Sequence, residues 1–211
     1  MLAIQETAAR HEAGPLSVVR AFIAIDLPAS LRRSLSERIA SLRNNLAGAP
    51  VRWVRANGIH LTLRFLGDTE VERIPDVKQA LLKVASTYPG FSIRLAGLGC
   101  FPNARRPRVV WLGVEEETGV LPALQAATEA ACRELGFQPE ARPFSPHLTL
   151  GRVRRDADPK AVSDLGRAVE GEEQGSLGSM GVDEVCLFQS DLKPDGAVYT
   201  KLLAARLGTG A

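Results

Sequence analysis

Two stretches of the chain share a tetrapeptide with chemistry in it. "NGIHLTLRFLGD", from Asn57 to Asp68, and "RPFSPHLTLGRV", from Arg142 to Val153, each contain His-Leu-Thr-Leu. The chain has only three histidines, and two of them, His60 and His147, open these copies. In a strand, residues i and i+2 share a face. His60 therefore projects with Thr62, and His147 with Thr149, while Leu61, Leu63, Leu148 and Leu150 anchor the other face. If the two strands are brought face to face, two imidazoles and two hydroxyls converge. An imidazole titrates near neutrality, so one can be neutral while the other is charged. One could take a proton from water and the other give a proton to a leaving oxygen. The hydroxyls between them could donate to non-bridging oxygens. A phosphodiester attacked in line has this shape.

Other readings of the same residues are weaker. A single His-x-Thr carries little information, and a histidine satisfied by a neighbour is the ordinary case. Identical copies at equivalent places are more specific. As metal ligands the pair is poor: each strand offers one imidazole, with no cysteine or carboxylate beside it, and Asp68 and Glu72 lie past the strand end. No metal and no cofactor is expected. No Gly-x-Ser-x-Gly elbow supports a Ser-His-Asp triad.

The elements that must position these residues form a repeating order. "RAFIAIDLP" reads as a strand ending at Pro28. Leu31, Leu35, Ile39, Leu42 and Leu46 mark one face of a helix, with Gly48 and Pro50 ending it. "VRWV" and "IHLTLRFLG" read as strands, and Ile74, Val77, Leu81 and Val84 as a second helix. "FSIRLAGLG" and "RVVWLGV" are strands around the loop "CFPNARRP". A third helix runs from about Gly119 to Leu135, then the strand "PHLTLGRV", then a fourth helix marked by Val162, Leu165 and Val169. The Gly-rich "EGEEQGSLGSMG" reads as a loop. "VDEVCLFQS" and "AVYTKLLAA" read as a strand pair around "DLKPDG". The histidines are 87 positions apart (147 − 60). Sliding the chain by that offset superimposes strand on strand and helix on helix, and Phe101 falls on Phe188. This order predicts an internal duplication into two α+β lobes, each with one HLTL strand.

The bulk properties are compatible with this. The 211 residues are 45% hydrophobic and 24% charged, and the net charge of +2 excludes a strongly basic nucleic-acid coat but allows a local basic cleft. Most of the basic residues are Arg, which suits phosphate recognition, although base composition of the genome would give the same bias. Cys100, Cys132 and Cys186 are sparse and form no CxxC pair, which reads as reduced thiols in a cytoplasmic protein. No apolar run is long enough to span a bilayer, and the N-terminus lacks the order of a secretory signal. Residues 1–17, with His11, read as a flexible extension, and 18–207 as one bilobal domain.

The doubled motif resembles that of the 2H phosphoesterase superfamily, which is defined by two H-x-T/S-x motifs in a duplicated bilobal fold. More closely, "RAFIAIDLP", "HLTLRFLGD", "FPNARRPRVVWLGV", "SPHLTLGRV" and "LFQSDLKPDGAVYTKL" are similar to the RNA 2′,3′-cyclic phosphodiesterases, also called 2′-5′ RNA ligases. The resemblance implies an α+β fold in which two antiparallel sheets line a central cleft with helices outside. It implies a metal-free hydrolase that opens a 2′,3′-cyclic phosphate at an RNA end and leaves a 2′-phosphate. His60 would be the proton donor and His147 the acceptor. Thr62 and Thr149 would hold the phosphate, with Arg152, five positions after the second histidine. Strand parity opposes the last assignment: in a regular strand Arg152 faces away from His147, and Arg64 has the right parity in the first copy. A bulge at Gly151 would re-aim Arg152.

The expected partner is RNA with a cyclic phosphate end, or a small cyclic nucleotide, handled by a monomer away from membranes. A ligase running the same chemistry backward is an alternative. A binding module without turnover is another, but binding alone does not call for two titratable groups. Arg105, Arg106 and Arg108 could contact RNA phosphates, and Phe101 or Phe144 could stack a base.

Overall fold

The computed structural model describes residues 17–193 and 196–209. The expected N-terminal extension therefore lies outside the described residues, apart from Ser17. Among the described residues, nine strands and four α-helices follow in the order β1 (Val18–Ile25), α1 (Ala29–Asn45), β2 (Val51–Trp53), β3 (Leu61–Glu70), α2 (Ile74–Ser86), β4 (Phe91–Phe101), β5 (Val109–Glu115), α3 (Val120–Glu134), β6 (His147–Val153), α4 (Pro159–Gly171), β7 (Ser176–Val182), β8 (Glu184–Lys193) and β9 (Gly196–Arg206).

The helices form where the apolar spacing predicts. Leu31, Leu35, Ile39 and Leu42 make the buried stripe of α1, and Ile74, Val77 and Leu81 that of α2. Helix α4 starts at Asp158, whose carboxylate accepts from the Lys160 and Ala161 amides at 2.9 and 3.0 Å, with Pro159 at the first helical position.

The strands form two antiparallel sheets, one ordered β3-β1-β8-β9 and the other β2-β6-β5-β4-β7. Taken with the 87-residue offset, the order β3-β1-β8 matches β6-β5-β4. The duplication is therefore real, but the halves of the sequence are not the lobes. β4, from the first half, completes the sheet of β5 and β6. β8, from the second half, completes the sheet of β1 and β3. The helices exchange similarly: α2 and α3 cover the first sheet, while α1 contacts β7 and α4 contacts β4 on the second. Neither half can bury its sheet without the other.

One expectation is corrected. The Gly-rich stretch is not all loop, because Ser176–Val182 forms β7, pairing with β4 from Phe91↔Val182 to Ala96↔Ser176. Its Gly and Ser have low strand propensity, and the open edge of β4 supplies the ladder that overrides it.

The core lies on the helix side of both sheets. Leu61, Leu63, Leu148 and Leu150 are all buried in it, at 4% exposure or less. A second, smaller cluster of Phe22, Ala24, Cys186 and Phe188, with Tyr199 against it, lies on the opposite face of the first sheet. That face lines the cleft.

Candidate active site

The site is organised by the same irregularity in both motif strands. In the first sheet Ala24 pairs with Thr62 and Ile23 with Arg64, so Leu63 is the extra residue of a β-bulge. In the second, Trp111 pairs with Thr149 and Val110 with Gly151, so Leu150 is the extra residue. Leu63 and Leu150 are themselves 87 positions apart.

Each bulge reverses side-chain parity beyond the threonine. Val110, Leu112 and Val114 face the core, so Val109, Trp111 and Gly113 face the cleft. Their partners are Arg152, Thr149 and His147 respectively. Directly opposed residues share a face, so Arg152 joins His147 and Thr149 in the cleft. Gly151 takes the core-facing place. A Cβ there would lie 2.5 Å from Val51 and 3.1 Å from Trp53, which is why a glycine is needed. In the first sheet Phe22 and Ala24 face the cleft, and so do their partners Phe65 and Thr62. Arg64 pairs with core-facing Ile23 and is turned inward. It is 5% exposed, ion-paired to Glu129 at 2.8 Å and donating to the Gln138 carbonyl. The parity argument for Arg64 is thereby corrected: the bulge removes it from the cleft. Its place is taken by Phe65, 57% exposed, the positional counterpart of Arg152.

His60 immediately precedes β3. Its ring stacks on Phe22 at 4.5 Å between centroids and lies edge-on to Tyr199 at 5.0 Å, with Phe188 at 5.9 Å. The turn before it is clamped by Arg32. That guanidinium donates to the carbonyls of Leu27, Ala56, Asn57 and Ile59 at 2.9–3.3 Å and pairs with Asp26. A planar fork with five donors can hold this many carbonyls at once. Asp26 also meets Lys201 at 3.1 Å. Burial lowers the His60 pKa from 6.5 to about 4. Asp26 opposes this and Arg32 adds to it.

His147 opens β6 in a different setting. Its ring stands edge-on to Phe101 at 4.9 Å. Phe101 and Phe188 occupy equivalent positions of the duplication, so each histidine has the matching phenylalanine nearby. The His147 Nδ1 lies 2.7 Å from the Ser145 carbonyl oxygen. A carbonyl only accepts, so Nδ1 carries the hydrogen and the neutral ring keeps its lone pair on Nε2.

The motif strands β3 and β6 come within 8 Å of each other at Cα. Tyr199 links the two sheets. Burial raises its hydroxyl pKa, and the positive charges of Arg152 and Arg20 act on it in the opposite sense. Arg152, from the second sheet, is thus felt by a residue that touches His60. Phe144 packs against the core, and Phe101 is spent on His147, so the sequence expectation of base stacking passes to neither. The exposed cleft aromatic is Phe65, which sequence reading missed. Its signal was its position 87 residues before Arg152. Among the described residues, no group of three or more His, Cys, Asp or Glu side chains could hold a metal ion, and no helix is long and apolar enough to cross a membrane.

Comparison with known proteins follows the same duplication. The LigT-like phosphoesterase family matches residues 25–111 and again 112–199. The RNA 2′,3′-cyclic phosphodiesterase of Methanothermobacter thermautotrophicus is 36% identical over 189 residues, covering 90% of this chain and 99% of that one. The protein of the same name from Archaeoglobus fulgidus is 37% identical over 185 residues, covering 87% and 98%. A crystal structure of a Thermus thermophilus protein superimposes with a TM-score of 0.72 at 30% identity, covering 90% and 98%. E. coli LigT complexed with 3′-AMP does so with a TM-score of 0.68 at 29% identity, covering 90% and 99%.

Proposed function

Because this chain belongs to the LigT-like phosphoesterase family, we propose that it is a hydrolase that opens the 2′,3′-cyclic phosphodiester at an RNA end to a 2′-phosphomonoester. The relatives named for that activity span nearly their whole length in the alignment. The observation that carries the reading is the repeated bulge, which leaves a His-x-Thr pair on the cleft face of each sheet.

In the proposed reaction, His147 is the general base. Its Nε2 lone pair accepts a proton from water as the water oxygen attacks phosphorus. The bond from phosphorus to the ribose 3′-oxygen breaks, and His60, as general acid, protonates that oxygen. Thr62 and Thr149 donate to the non-bridging oxygens, and Arg152 balances their charge. On its own surroundings His60 is neutral near pH 7, since its pKa is about 4. The acid role therefore requires a bound phosphate anion to raise it. Phe65 offers a ring on which the terminal base can stack.

We assign residues 18–207 to one bilobal domain that acts as a monomer in the cytoplasm. The three thiols are free, with burial pushing Cys100 and Cys132 up to about 11 and Cys186 to about 12, which suits a reducing compartment. The test is turnover of an oligonucleotide ending in a 2′,3′-cyclic phosphate, with the product identified by phosphorus NMR. A 2′-phosphate product supports the reading. A 3′-phosphate product, or no turnover, contradicts it.

A further inference from the structure

The short edge strand β2 brings a second arginine to the cleft. Arg52 pairs directly with Arg152, flanked by Val51↔Val153 and Trp53↔Gly151. The core-side position of Val51 and Trp53 is fixed independently, because both meet the direction in which a Gly151 Cβ would point. Arg52 therefore points the other way, beside Arg152. Both are exposed. Neither makes an ion pair among the described residues. Like charges directly opposite on antiparallel strands oppose folding. An uncompensated pair of guanidiniums on a cleft wall is built to be neutralised by an anion.

That anion is not the reacting phosphate alone. Arg152 lies two β5 residues from Thr149, about 6–7 Å along the sheet, and Arg52 is one strand further out, about 5 Å more. The displacement is comparable with one sugar-phosphate unit. The positive track then continues. Val153 donates to the Arg108 carbonyl at 3.0 Å, so the loop carrying exposed Arg105, Arg106 and Arg108 begins where β6 ends. Asn103 fixes that loop by accepting from the Arg105 and Arg106 amides at 3.0 and 3.1 Å.

We propose that Arg52 and Arg152 jointly hold the phosphodiester one nucleotide upstream of the reacting cyclic phosphate, which makes the substrate of this site a polynucleotide. The inference rests on the hydrolase reading above and narrows its substrate class. A 5′-phosphate on a mononucleotide would present the same chemistry at that distance, so the test separates the two sources.

The experiment compares kcat/KM for a dinucleotide ending in a 2′,3′-cyclic phosphate, a nucleoside 2′,3′-cyclic phosphate with a free 5′-hydroxyl, and the same nucleotide with a 5′-phosphate. The wild type should prefer the dinucleotide over the 5′-hydroxyl nucleotide. Arg52→Gln should reduce that preference about tenfold, as expected for one hydrogen bond to a charged group, and Arg52→Lys should restore part of it. The salt dependence of dinucleotide binding should also flatten in Arg52→Gln, by close to one phosphate contact. Melting temperature serves as the folding control and should not fall, because a repulsion is removed. A preference that Arg52→Gln leaves intact would overturn the proposal, as would a 5′-phosphate mononucleotide matching the dinucleotide in rate. A wild-type enzyme that opened none of the three would overturn the hydrolase reading, and this inference with it.

Discussion

Arg64 and Gly151 occupy equivalent positions of the two motif strands, and both face the core. The arginine that lies in the cleft, Arg152, is the counterpart of Phe65. Arg152→Ala should accordingly raise the Michaelis constant for a cyclic-phosphate oligonucleotide about tenfold or more, as for loss of a charge-assisted hydrogen bond. Arg64→Ala should act on the fold instead. It leaves Glu129 without its partner against the core, at a cost of about 3 kcal/mol. Steady-state kinetics and urea unfolding on both variants separate the two roles. Equal effects on the Michaelis constant would show that the bulge does not sort them.

Arg32 touches no reacting group in this account and acts through the turn that carries His60. Arg32→Lys keeps the charge but cannot bridge the four carbonyls that Arg32 binds. The expected result is a kcat reduced about tenfold, in the manner of a displaced catalytic group, with the Michaelis constant nearly constant. The His60 ring resonances should shift in NMR spectra. A drop in stability without those shifts would make Arg32 a purely structural residue.

The burial of His60 has a pH signature. Its folded pKa of about 4 lies below the ordinary 6.5, so the folded protein binds fewer protons than the unfolded chain between those values. The associated stability is fully present above pH 6.5 and is lost as pH falls through about 4, by an amount on the order of 3 kcal/mol. His60→Phe, which preserves the stack on Phe22, should flatten this part of the pH–stability curve. Inorganic phosphate should raise the His60 pKa, read by NMR titration. A pKa insensitive to phosphate would argue against His60 as the acid.

Activity should survive chelation. His60 lies among Phe22, Phe188 and Tyr199, and His147 donates Nδ1–H to a carbonyl, so neither ring meets a second ligand among the described residues. Turnover should be unchanged after dialysis against EDTA. Loss of turnover that one divalent ion restores would contradict the two-histidine scheme.

Much of this site is legible in the sequence, and the gaps have identifiable causes. Leu61, Leu63, Leu148 and Leu150 follow strict alternation, so the core face is readable from period alone. The bulges are not, because their extra residues are leucines that look like one more alternating position. Only Gly151 hints at them. Without the bulges, parity favours Arg64 over Arg152, and resemblance has to outweigh it. The exchange of β4 and β8 is hidden as well, since pairing is decided by edges far apart in the chain. β7 is obscured by glycines that its neighbour β4 holds in a ladder. Phe65 goes unnoticed because a search centred on histidines asks only what lies beside them, whereas the offset that aligns the motifs also aligns Phe65 with Arg152.

The central claim is that His147 removes a proton from water and His60 delivers one to the leaving oxygen. The most direct test is the rate of His60→Gln and His147→Gln on two phosphodiesters, one leaving as a ribose alkoxide and one leaving as p-nitrophenolate. On the natural cyclic phosphate, each variant should lose about 10²–10⁴-fold in rate. Nitrophenolate needs no proton to depart, so His60→Gln should recover most of its activity on that substrate while His147→Gln remains inactive. Recovery of the His147 variant instead would reverse the two roles, and near-normal turnover of both variants on the cyclic phosphate would contradict the mechanism altogether.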